Sequence, residues 1–186
     1  MNIVFGGSFN PVTKAHKQII DYCFRKFKIS NFIIVLAGTT YYKEYNVSYE
    51  SRKAMLKLVL KRKKIIFSPI EEKEYHGTYN TLVSLSKTYK DIHFLLGADQ
   101  LLKINDWIDS TKLINEFKFI VFNRDNIINE EIKNKYNRNF LFINNPIYKF
   151  SSSLYRENPS LIDIIDKRVY KYIKDYNLYD ISKKEV

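Results

Sequence analysis

Six short apolar runs recur along the chain, at 2–5, 31–37, 64–68, 91–96, 117–122 and 139–143. Between and after them lie stretches whose apolar residues return every three or four positions, at 14–27, 48–61, 78–89, 110–115, 151–157 and 166–176. The first set reads as strands and the second as helices. Most of the strand runs are almost wholly apolar rather than alternating, which is the pattern of a sheet buried on both faces. Strands separated by helices of this length connect as right-handed βαβ units. The pattern therefore predicts an α/β fold: a single doubly wound domain, residues 1–186, with a mostly parallel sheet and a C-terminal helical segment. No composition break marks a linker, and no internal repeat is present. In such a fold a ligand is expected at the carboxyl ends of the strands.

The first strand runs straight into Gly6-Gly7-Ser8-Phe9-Asn10-Pro11, and the helical pattern starts just beyond. Glycine removes the Cβ that would hold a ligand away, and a helix start carries partial positive charge. A strand that delivers glycines to a helix start is thus suited to a phosphate. Thr13 and His16 are three residues apart and share one side of the first turn. A hydroxyl and an imidazole beside a phosphate cradle point to phosphoryl or nucleotidyl transfer.

Composition narrows the class. The 186 residues are 45% hydrophobic and 16% aromatic, enough for a sizeable core and far from a disordered chain. No apolar stretch approaches the roughly 18 residues of a membrane span. The formal net charge is +11, but the basic residues are scattered, and the one dense cluster, Lys61-Arg62-Lys63-Lys64, lies at a predicted helix end. The charge is read as a field that attracts polyanionic nucleotides rather than as a nucleic-acid interface. The single cysteine, Cys23, cannot form an internal disulfide, and the first strand begins at once, so a reducing cytoplasm is the expected setting. The sequence contains neither a Walker pattern nor the third glycine of a dinucleotide fingerprint, and no zinc-ligand spacing.

Two motifs carry a family resemblance. Gly-Gly-Ser-Phe-Asn-Pro-Val-Thr-Lys-Ala-His at 6–16 resembles the first signature of the nucleotidyltransferase α/β phosphodiesterase superfamily. Phe150-Ser151-Ser152-Ser153-Leu154-Tyr155-Arg156 resembles its second, Ile-Ser-Ser-x-x-x-Arg. Three further segments resemble nicotinate-nucleotide adenylyltransferases: Gly97-Ala98-Asp99 followed by Trp107, Thr78-Tyr79-Asn80-Thr81-Leu82, and Val169-Tyr170-Lys171-Tyr172-Ile173 with Leu178-Tyr179. The motifs stand in family order over nearly the whole chain. The resemblance implies a Rossmann-like fold and transfer of AMP from ATP to nicotinate mononucleotide, with Mg²⁺ carried mainly by the ATP phosphates.

The resemblance also assigns roles. Gly6, Gly7, Ser8 and Phe9 form the phosphate turn, and His16 and Thr13 donate to the α-phosphate. Arg156 holds the leaving pyrophosphate, with Ser151 and Ser152 presenting donors beside it. Lys43 matches a family lysine in the loop after the second strand. Gly97 leaves room for a sugar and Asp99 accepts from ribose hydroxyls. On the acceptor side, Thr78 starts a helix near the nicotinate, Trp107 offers a face to the pyridine ring, and Asp99 contributes again. For Lys43 and Arg124 an ordinary solvated role stays open, and for Trp107 an ordinary packing role. His76 and His93 are read as structural. The sequence departs from the signatures where Asn10 replaces aspartate, Thr13 the first histidine and Ala15 the glycine before His16. Gly77 and Asn80 depart on the acceptor side. Nicotinamide mononucleotide and 4′-phosphopantetheine therefore remain rival acceptors, and a catalytically silent nucleic-acid-binding protein of the same fold is the rival from another class. Self-association is left open by the sequence.

Overall fold

Alternating side chains along the strands feed two separate cores, and this determines the layering. In β1 (Asn2–Gly7) Ile3 and Phe5 join one core while Val4 joins the other. In β2 (Asn31–Leu36) Phe32, Ile34 and Leu36 face the first core, and Ile33 and Val35 the second. The structure, a computed structural model, describes residues 1–38, 47–123, 127–136, 138–146 and 150–179. Its six strands, with β3 (Ile65–Ser68), β4 (Ile92–Gly97), β5 (Lys118–Phe122) and β6 (Phe140–Ile143), form one sheet in the order β3-β2-β1-β4-β5-β6, every pair parallel.

One face is covered by α1 (Lys14–Lys26), α2 (Tyr49–Val59) and, near the C-terminus, α8 (Lys167–Asp175), through Ile19, Ile20, Cys23, Met55, Leu56, Val169 and Ile173. The other is covered by α3 (Thr78–Ser86), the short α4 (Ala98–Leu101) and α5 (Ser110–Glu116), through Leu82, Leu85, Leu101 and Leu113. Local signals start these helices: the Ser48 hydroxyl accepts from the Ser51 amide ahead of α2, and the Asp166 carboxylate caps α8. Cys23 is fully buried and its thiol is pushed up to about 12 by desolvation, which makes it inert packing.

The predicted elements are all present, with three differences. β1 and β4 each run on to a glycine, Gly7 and Gly97, because one parallel neighbour continues to pair there, β2 with Gly7 and β5 with Gly97. The short helix α4 and the 3-10 turns at Ile104–Asp106 and Ile162–Ile164 were not expected; they are too brief to show a period. Nor was α6 (Glu130–Lys135), whose residues include none that is buried.

The strand order reverses between β1 and β4, and the crevice at their carboxyl ends is where open α/β sheets bind ligands. One side of this crevice depends on a close backbone crossing. At Gly38, just past β2, a Cβ would lie 1.9 Å from the Glu71 carbonyl oxygen and 2.6 Å from that of Glu72. Replacing Gly38 with alanine should therefore cost about 3 kcal/mol of stability, the upper end for overpacking, seen as a lower midpoint in urea unfolding at unchanged slope.

Candidate active site

A cavity of about 390 Å³ opens at this crevice. The β1 turn supplies Gly6 to Asn10, the end of β4 supplies Leu95 to Gly97, and Asp99 and Trp107 follow. His16 of α1, Thr78 of α3 and Ser151, Ser152 and Arg156 at α7 (Ser152–Glu157) line it too. Residues 16 and 156, remote in the chain, thus share one chamber. Lys43 and Arg124 lie outside the described residues.

The imidazole is fixed by its own helix start. The Thr13 amide donates to His16 Nδ1 at 3.0 Å, and the Thr13 hydroxyl lies 2.8 Å from the same nitrogen. An amide can only donate, so Nδ1 is unprotonated and the ring proton of the neutral tautomer sits on Nε2. His16 therefore carries its donor at Nε2. Phe9, 1% exposed, packs against this ring at 5.1 Å between centroids and edge-on against Phe5. Its φ of +44° places a bulky residue in the left-handed region, held there by these contacts.

Hydrogen bonds and close contacts add detail to the expected roles. Thr13 is 2% exposed and does not line the cavity; its hydroxyl is turned to His16, so it orients the imidazole rather than touching phosphate. Gly97, in the cavity wall, also makes room for protein groups, since a Cβ there would crowd Asp99 Oδ1 and lie 3.1 Å from the Phe122 ring. Ser152 spends its hydroxyl proton on the Pro11 carbonyl at 2.8 Å. Ser151 caps α7 by accepting from the Leu154 amide at 3.0 Å, which leaves its own proton to donate. Arg156 donates to the Asn10 carbonyl at 2.6 Å and to the Ser153 hydroxyl at 3.1 Å, two of its five N–H groups.

At the other end of the cavity, α3 starts at Thr78 beside the Tyr75 phenol, 3.3 Å from its hydroxyl. Trp107 stands edge-on to Phe94, 6.2 Å between centroids. His76 and His93 do not line the cavity: His76 pairs with Glu74 on the surface, and burial lowers the pKa of His93.

Residues 4–158 match the model of the cytidylyltransferase-like family. A protein of Acholeplasma laidlawii named probable nicotinate-nucleotide adenylyltransferase is 33% identical over 98% of this chain and 100% of its own length. This chain belongs to the nicotinate-nucleotide adenylyltransferase family. A Fusobacterium nucleatum protein of the same name is also 33% identical, over 93% of the chain and 97% of its own. Plasmodium falciparum nicotinic acid mononucleotide adenylyltransferase, complexed with NaAD, superposes with a TM-score of 0.86 at 27% identity, covering 96% of this chain and 97% of that one. The same Plasmodium protein complexed with APC gives 0.82.

This adenylyltransferase-family site also contains groups that motif reading passed over. Arg52 is wholly buried and donates through Nη1 to the carbonyls of Ser8 and Ala37, both at 2.9 Å, and through Nε to that of Val47 at 3.3 Å. Its place between Tyr49, Met55 and Leu56 on the apolar face of α2 was the available signal. Glu71 is 7% exposed in the cavity wall and accepts from the Thr81 hydroxyl at 2.7 Å. Desolvation raises its pKa, and the Thr81 bond only partly opposes this.

A folded-state carboxyl pKa above its ordinary 4.5 means that ionising Glu71 costs stability as pH rises above that value. Replacing Glu71 with glutamine, which keeps the acceptor for Thr81, should raise the melting temperature at pH 7. The gain should shrink as pH falls to 4.5 and below, in melts followed by circular dichroism.

Proposed function

We propose that this chain transfers the adenylyl group of ATP to nicotinate mononucleotide, giving nicotinate adenine dinucleotide and pyrophosphate, a step that builds NAD. The observation that carries this reading is the meeting of His16, Arg156 and the glycine turn in one cavity at the carboxyl ends of β1 and β4. The relatives' shared name and the ligands of the Plasmodium structures support it.

The acceptor's phosphate is already anionic, so in-line attack on the α-phosphorus needs no protein base. Catalysis can rest on positioning and on neutralising charge that develops in the transition state. His16, with its proton held on Nε2, donates to a non-bridging α-phosphate oxygen. Arg156 turns its remaining N–H groups to the β- and γ-phosphates that leave together. Ser151 adds one hydroxyl donor. At the acceptor end, the N-terminus of α3 at Thr78 favours an anionic carboxylate over a neutral amide, and Trp107 offers a ring face. Asp99 accepts from ribose hydroxyls.

The wall suits a magnesium ion that travels with the triphosphate. Among the described residues no three acidic, histidine or cysteine side chains converge, and Mg²⁺ is content with phosphate oxygens and water. When bound, it offsets part of the triphosphate charge. Among the described residues no helix is long and apolar enough to cross a membrane.

A coupled pyrophosphate-release assay with three acceptors tests the assignment. Nicotinate mononucleotide should give the highest kcat/KM; equal or better turnover of nicotinamide mononucleotide or 4′-phosphopantetheine overturns the acceptor. Replacing His16 with alanine should lower kcat about 100-fold or more while ATP still binds. An unchanged kcat in that variant removes His16 from the mechanism.

A further inference from the structure

The C-terminal segment after α8 reaches back to the β1 turn at one point. The Tyr179 phenol donates to Asn10 Oδ1 at 2.6 Å, across 169 residues of chain. Asn10 is 5% exposed, lines the cavity, and through its main-chain carbonyl accepts from Arg156 Nη1 at 2.6 Å. One residue is therefore gripped twice, through its side chain by Tyr179 and through its backbone by Arg156. Burial holds the phenol's pKa far above its ordinary value, so it stays a donor at every working pH. Its ring stands edge-on to the buried Tyr155, 5.8 Å between centroids, which fixes where the hydroxyl points. Tyr179 itself does not line the cavity.

The geometry points to Tyr179 as a positioning residue that acts through Asn10 on Arg156, setting the guanidinium where it meets the outer phosphates of ATP. The inference rests on the adenylyl-transfer reading, in which ATP occupies this cavity. Without the phenol the Asn10 side chain loses its anchor, and the carbonyl that holds Arg156 moves with it. The effect falls on ligands with β- and γ-phosphates and spares those without them.

The test is calorimetric binding of a non-hydrolysable ATP analogue and of AMP to the full chain, for the wild type, Tyr179→Phe, Arg156→Ala and the double variant. Phenylalanine keeps the ring against Tyr155, so the melting temperature should change little. Tyr179→Phe should weaken the analogue about fivefold, the scale of one hydrogen bond, and leave AMP binding unchanged. In the Arg156→Ala background it should add nothing, because residues acting through one another do not sum. The inference is overturned if Tyr179→Phe binds the analogue as the wild type does, weakens AMP equally, or keeps its full effect without Arg156. An Arg156→Ala variant with wild-type analogue affinity would instead remove Arg156 from the triphosphate site, and the inference with it. A wild type that binds the analogue but transfers to no acceptor overturns the reaction alone and leaves the coupling measurable.

Discussion

The turn leaving β1 has few hydrogen bonds to regular neighbours, and side chains sent from elsewhere satisfy it. The Ser8 carbonyl accepts from Arg52, that of Asn10 from Arg156 and that of Pro11 from Ser152, while the Thr13 amide donates to His16. Buried main-chain groups without partners are costly, so these four contacts are a condition for the turn to hold its shape at all. Everything the site does follows from that shape. The glycines can approach a phosphate only if the turn does not relax, and the imidazole keeps its tautomer only while the Thr13 amide faces Nδ1.

These anchors come from α2, α7 and the first turn of α1, so the site is assembled by the same packing that covers one face of the sheet. Tyr155, fully buried within α7, belongs to the core formed by β1, α1, α2 and α8. Loosening that core would reach the phosphate turn through α7 even where no ligand contact is lost. Because the grip is on main-chain atoms, the side chains of the turn are freer to vary than its path. Position 10 is the exception, held through its side chain as well, and asparagine there, where the family signature has aspartate, keeps that contact: the Oδ1 that accepts from Tyr179 exists in both.

Element order and the location of the site were legible in the sequence because both rest on local signals. Apolar runs mark buried parallel strands, and Gly6-Gly7 beside a helix start marks the crevice. Where the hydroxyl of Thr13 points was not legible, since spacing shows that it and His16 share a side but not which of them meets solvent. For Gly97 a further reason was not legible: its missing Cβ also accommodates the Asp99 carboxylate and Phe122, a contact set by the packing of β5. Arg52 escaped because its partners are backbone atoms, the contact of Tyr179 because its partner lies 169 residues away, and Glu71 because burial of a single carboxylate leaves no pattern in residue types. Glu71 shows this well, as one acidic residue in Glu71-Glu72 is buried and its neighbour is not.

Cys23, sealed beneath α1 with a thiol that stays protonated, has a practical side. Maleimides and other alkylating reagents need an accessible thiolate, and the chain has no other sulfhydryl. A cysteine introduced at any surface position thus becomes the sole attachment point for a fluorophore or spin label, with the native background silent.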